Sequence, residues 1–413
     1  MSASARTLSA RFAGTVGAAL DRLPVGLVEA VSLYLVLRVA LGIVTGLVLL
    51  QGAGSPPCST GNAVSDWKTF PPMDDRGILY GIVGVWQHAD ACWYSKVATF
   101  GYEAGTGSTN FFPLLPALMA VIGRLFGGDV ALAGEIVSAI AFVAAFTGLR
   151  RLVEADVDGP TASRTLVYVA AFPVAFFLVG PFTESLFLAC AVWAILGARR
   201  RQWALAGVAA ALAALPRPPG IFLVLPIAWE GFCVLRAEWP AVSGRASSIV
   251  RLGIRPAIAA AAPAVAYLGY VGWTVVGTSQ SYFASHRIWA RTTLQLPWDP
   301  VIGGWQYAIA YGDPVTLLNT AFLVLFVVIA IAGLRSVPFS YSLYVLPQLA
   351  VLLTQQGVWP LISTARYLVV LFPCFVILAR VGRRPGLHMA WLLPSGALLG
   401  YLAGQFVAGL FIG

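Results

Sequence analysis

Charge is what this chain has least of. Only 10% of its 413 residues are Asp, Glu, Lys or Arg, against roughly 25% in soluble globular proteins, and that excludes an ordinary soluble domain. Disorder is excluded too, because a chain that is 59% hydrophobic cannot avoid burying apolar surface. Lysine is almost missing: Lys68 and Lys96 stand alone, and arginine carries the rest of the positive charge. The Gly-rich phosphate loop of ATP-driven machines is absent, which argues against an ATP-driven transporter. No internal repeat and no two halves of matching hydropathy are visible, so the inverted-repeat architecture of many secondary transporters is also disfavoured. The formal charge of +9 would suggest nucleic acid in a soluble protein. Here its placement along the chain matters more than its sum, and no nucleic-acid partner is expected.

Long uncharged runs are what the sequence has instead, among them Val39 to Leu50 and Pro314 to Leu334. They predict an all-α polytopic membrane protein, because only helices and closed barrels satisfy the backbone inside lipid. The first run, Leu27 to Leu50, follows Arg6, Arg11 and Arg22. It exceeds the 7–15 residues of a signal-peptide core and is expected to stay as an uncleaved span. Further apolar segments fall near 130–149, 165–180, 185–198, 203–215, 219–235, 256–277, 314–334, 338–354, 366–379 and 389–412. That gives about eleven spans, in a range of roughly nine to thirteen. Reading 111–126 as an interfacial helix makes the alternation consistent. Arg150-Arg151, Arg199 to Arg201, the Arg236 to Arg255 loop, Arg335 and Arg380 to Arg384 then share one side, expected to be cytoplasmic along with the N-terminus. Residues 51–110 become a large first external loop, and 278–313 a second. The arginine-heavy, alanine-rich composition fits a bacterial plasma-membrane protein.

The polar chemistry therefore gathers on the outer side. Cys190, Cys233 and Cys374 lie in apolar runs and read as small core residues. Cys58 and Cys92 share the first external loop, where an oxidising exterior would allow a disulfide. That loop also holds Asp66, Lys68, Asp74, Asp75, Arg76, His88, Asp90, Lys96 and Glu103, and most of these read as solvated. Asp90 differs. It sits in His88-Ala89-Asp90-Ala91-Cys92-Trp93-Tyr94, whose aromatics suit a membrane interface and whose partial desolvation suits a general base. His88, two residues before Asp90, offers a second ligand for a divalent metal, but two ligands make a weak site. Arg38, Glu135 and Glu184 are ionisable groups in apolar settings, which are expensive and so are paired or functional. For Arg38 a buried ion pair competes with a substrate role, and for Glu184 a helix cap with Thr183 or Ser185 competes with a catalytic one. Arg217 and Arg366 fall at the outer ends of spans, where they either snorkel to headgroups or hold a phosphate.

Asp90-Ala-Cys-Trp93-Tyr94, Gly101-Tyr102 and Phe111-Phe112-Pro113-Leu-Leu-Pro116 resemble the first-loop signature of the PIG-V-like family, the GPI mannosyltransferase 2 family and its bacterial relatives. Thr183-Glu184-Ser185-Leu186-Phe187, Arg217-Pro218-Pro219-Gly220, and Arg366-Tyr367 with Phe372-Pro373 are similar to its later motifs, in order, so the likeness runs from about residue 30 to 385. Ala89 departs from it, since the family usually has Trp there. The resemblance implies a GT-C glycosyltransferase, a multi-span helical bundle that takes a sugar, mannose by the family's habit, from a polyprenyl-phosphate donor. The acceptor would be a membrane lipid or glycan on the extracytoplasmic face. Asp90 would be the base and Glu184 a second catalytic carboxylate. Arg38, His88, Trp93, Tyr94, Tyr102, Arg217, Arg366 and Tyr367 would bind substrate. No cofactor is required beyond a possible divalent metal. Two other readings stand beside it: a flippase of lipid-linked sugars, and a noncatalytic partner subunit of a glycosyltransferase.

Overall fold

The computed structural model describes residues 24–54, 58, 81–242, 246–278, 281–288, 293–356 and 359–412. Asp66, Lys68, Asp74, Asp75 and Arg76 of the first loop lie outside the described residues. The chain begins with α1 (Val25–Leu50). This helix is only 17% buried at a mean hydropathy of 2.4, and Val36, Val39 and Ile43 are each more than half exposed. A face so apolar and so bare is stable only against lipid.

After the first loop come α2 (Asp90–Phe100) and α3 (Leu114–Gly123). Then follow α4 (Val130–Asp156), α5 (Gly159–Ala170), α6 (Glu184–Arg199) and α7 (Trp203–Ala214). Next are α8 (Val224–Val242), α9 (Ala246–Thr278), α10 (Tyr282–Ile288), α11 (Asp299–Tyr311) and α12 (Pro314–Gly333). The series ends with α13 (Phe339–Thr354), α14 (Thr364–Leu368), α15 (Phe372–Val381) and α16 (Pro385–Val407). The described strands are a two-residue antiparallel ladder, Thr293–Leu294 against Gln355–Gln356. The fold is all-α. Aspartates start three of the helices: Asp129 accepts from the Leu132 amide, Asp158 from Thr161 and Asp313 from Val315 and Thr316.

Ion pairs mark two opposite ends of the bundle. At one end Arg150 meets Glu29 at 2.9 Å, Arg199 lies between Asp156 and Glu230, and Arg383 reaches Asp158 at 2.6 Å. At the other end Arg366 bridges Asp90 and Glu184. Following the chain between these ends gives eleven passes among the described residues. They run on α1, α4, α5 to Thr183, α6, α7, Pro218–Val242, α9, α12, α13, α14 to α15, and α16. Among the described residues, six helices are long and apolar enough to cross a membrane. The other passes use short pieces. The predicted span at 165–180 is one of these: α5 stops at Ala170 before Phe172-Pro173, and Ala175–Leu178 is a 3-10 turn. A 12-residue helix reaches only about 18 Å of a roughly 30 Å core. Irregular backbone at that depth must be enclosed by protein, and Phe172, Phe176, Phe177 and Phe182 around it are fully buried.

Cys58 and Cys92 form a disulfide, with Cα atoms 5.5 Å apart. The bond ties the first loop to the first turn of α2. Replacing both with Ser should lower stability by roughly 2–4 kcal/mol through the freer unfolded chain. A thermal midpoint that neither this variant nor a reductant lowers would show that the cross-link does not contribute.

Candidate active site

Four stretches far apart in sequence converge above α14. Asp90 is the first residue of α2, Glu184 the first of α6, Arg217 follows α7, and Arg366 lies within α14. The Arg366 guanidinium donates through Nε to Glu184 Oε1 at 2.7 Å and through Nη1 to Asp90 Oδ2 at 2.6 Å. Arg217 Nη1 reaches the same Glu184 oxygen at 3.1 Å. Two carboxylates and two guanidiniums thus alternate as a neutral chain. Their exposure separates them: the side chains of Glu184, Arg366 and Arg217 are 0%, 4% and 7% exposed, while Asp90 is 32% exposed.

Rings hold the arginines in place. The Arg366 guanidinium carbon lies 4.3 Å from the Phe177 ring centroid and 5.3 Å from that of Phe182, and Arg217 lies 4.4 Å from the Tyr367 ring. Such faces favour a cation that has given up its water. The backbone is strained on both sides of the chain. Ala89, just before Asp90, has φ +50°, and Leu361 and Ser363, just before Arg366, have +55° and +61°. Residues with a Cβ avoid this region, and strain of this kind gathers at functional sites. The Ala89 position that departs from the family signature is therefore a tight turn presenting Asp90. Asn319 of α12 adds support by accepting the Ala365 amide at 3.0 Å.

A cavity of about 110 Å³ opens over this chain, lined among others by Asp90, Tyr94, Thr183, Arg217, Arg366 and Tyr367. Burial, and then the nearby Asp90 charge, push the Tyr94 phenol far above its ordinary value, so it remains a neutral O–H. Asn110, Phe111, Pro216, Ile362, Ser363 and Phe411 complete most of the lining. Phe111 lies in a motif already visible in the sequence, and Pro216 directly precedes another, Arg217-Pro218-Pro219-Gly220. Ile362, Ser363 and Phe411 carried no sequence signal, because a lining role depends on the turn around Ser363 and on the chain beyond α16.

Several expected site residues stand elsewhere. Glu184 does not line the cavity, and neither the Thr183 nor the Ser185 side chain caps its helix. Arg38 is paired with Glu135 and hydrogen-bonded to Tyr34, and it is not among the residues lining the cavity. Trp93 stacks on Phe111 at 5.0 Å, behind the lining. Tyr102 donates to the Phe111 carbonyl at 2.7 Å and packs near Trp273, also away from the cavity. His88 packs edge-on against Phe406, and burial lowers it to about 4, so it is neutral near pH 7 and no phosphate-binding cation. No group of three or more His, Cys, Asp or Glu that could hold a metal occurs among the described residues. The nearby carboxylates already face two guanidiniums, so this donor set does not fit a resident divalent cation.

No family model and no curated protein matches the chain. Among solved structures, the chain is similar to the crystal structure of the Archaeoglobus fulgidus oligosaccharyltransferase in complex with Zn and sulfate. Identity is 13% and the TM-score 0.43, over 89% of this chain and 53% of that one, so this chain spans about half of that protein's length. A likeness of this strength assigns no activity, ligand or residue role. Composition, bare apolar helices and six membrane-length helices among the described residues define the class: an all-α polytopic membrane protein.

Proposed function

We propose that the protein is a membrane glycosyltransferase of the GT-C kind that its motifs resemble. It moves a sugar, mannose in the first instance, from a polyprenyl-phosphate donor to a hydroxyl of a lipid or glycan acceptor. One observation carries this reading: the residues of four separate motifs meet at one cavity as a partly exposed carboxylate beside two buried arginines. Such a transfer needs a base for the acceptor hydroxyl and cations for the departing phosphate. Asp90 takes the acceptor proton as the new glycosidic bond forms. The sugar–phosphate bond breaks, and its electron pair leaves with the lipid phosphate toward Arg217 and Arg366. Glu184 fixes both guanidiniums without entering the cavity. The arginine-rich opposite end supports placing the site outside a bacterial plasma membrane, with the N-terminus inside.

Lipid and glycan profiling of a deletion strain tests the reading. It should show a lipid-linked sugar accumulating and an acceptor short by one sugar; unchanged profiles would overturn it. The arginines give a finer test. Arg217→Lys and Arg366→Lys keep the charge but lose the planar fork, and should lower turnover about tenfold or more while weakening donor binding less. Wild-type rates and affinities in both would remove the phosphate role.

A further inference from the structure

Opposite the cavity, at the arginine-rich end, α7 and α9 enclose a trough of about 790 Å³. Its origin is small residues. A Cβ at Gly207 would lie 3.1 Å from the Ala259 Cα, so the two helices touch there. On either side Ala211 and Ala262 leave the groove open, between Val208 and Ile258, which are 61% and 64% exposed. The walls are almost wholly apolar, while the end nearest the arginine-rich face is not: Arg201, Gln202, Trp203 and Arg255 close it.

Those end residues are placed to meet an anion. Arg201 stands in a left-handed turn, φ +56°, between α6 and α7, and Glu238 pairs with one arm of its exposed guanidinium. Arg255 is exposed on α9 and has no ion pair or hydrogen bond among the described residues. Trp203 is half-buried beside them, in the position aromatic residues favour at a membrane interface. An apolar trough that ends in two guanidiniums and an indole matches one chemistry: a hydrocarbon tail with a phosphate at its head.

We infer that this trough binds a bilayer phospholipid of net negative charge from the leaflet on the arginine-rich side. One acyl chain lies along Gly207 and Ala211, and the headgroup phosphate lies between Arg201 and Arg255. That leaflet is where anionic lipids and basic side chains meet in a membrane that follows the positive-inside rule. The site is at the opposite end of the bundle from Asp90 and does not depend on the glycosyl-transfer reading.

Native mass spectrometry of the detergent-purified protein, with added phosphatidylglycerol or phosphatidylcholine, tests it. Phosphatidylglycerol should be retained preferentially. Arg201→Gln and Arg255→Gln should each reduce that retention about fivefold, as expected for one basic contact with an anionic headgroup. Ala211→Phe fills the trough and should displace both lipids. Arg201 and Arg255 are exposed, so their variants should keep the wild-type thermal midpoint, which separates lost binding from lost fold. Equal retention of the two phospholipids, unchanged retention in both arginine variants, or preferential retention of a polyprenyl phosphate would each overturn the inference.

Discussion

Asp90→Asn should give a folded protein whose turnover has dropped by about 10²-fold or more, which is the usual yield of a positioned general base. The amide keeps the size of the carboxylate and can still accept from Arg366, so geometry survives while the basic lone pair is lost. Folding should survive as well, because Asp90 is the exposed member of the chain and Arg366 retains Glu184 as its partner. A transfer assay in membranes and complementation of a deletion strain supply the readouts. Near-normal turnover would remove Asp90 from the chemistry. Glu184 would not inherit the role, since its carboxylate is sealed away from the cavity.

Glu184→Gln should damage the fold itself. One Glu184 oxygen faces both Arg366 and Arg217, and the side chain has no exposure at all. Without that charge, Arg366 keeps the partly exposed Asp90, and Arg217 is left with the Arg366 carbonyl. Breaking one partner of a buried ionic group costs about 3–5 kcal/mol, mostly from the charge left behind. The thermal midpoint and the amount of protein in membranes should both fall. A Glu184→Leu variant that also carries Arg217→Met and Arg366→Met should regain stability, because apolar groups of similar volume replace such clusters at little cost. It should regain no activity. Both phosphate-facing arginines are gone from that variant, so its recovery is read in stability alone; a wild-type midpoint for Glu184→Gln would show that the cluster contributes little.

Arg217 and Arg366 were legible in sequence because a guanidinium in an apolar run carries a cost that something must offset. The same argument flagged Arg38, and it could not say which offset applied: Glu135, 97 residues away, completes the Arg38 pair. Aromatics were the least legible. Trp93, Tyr94 and Tyr102 look alike along the chain, yet Tyr94 lines the cavity, Trp93 backs Phe111, and Tyr102 anchors a carbonyl. Packing direction decides this, and composition does not record it. The passes were legible as apolar segments, whereas the break after Ala170 was not, because hydropathy measures the side chains and is blind to whether the backbone beneath them is helical.

The arrangement of charges along the chain has a consequence for biogenesis. The acidic half of the cluster is made first and its last arginine late: Asp90 and Arg366 are separated by 276 residues. At a translation rate of about 5–20 residues per second, that gap lasts roughly 14–55 s. Over the last 149 residues of this interval the nascent chain holds Glu184 beside Arg217 alone, and the ring faces of Phe177 and Phe182 have no Arg366 against them. Arg366 therefore works as a closing stitch, and a chain interrupted before it leaves the ribosome with its central carboxylates short of one counter-charge.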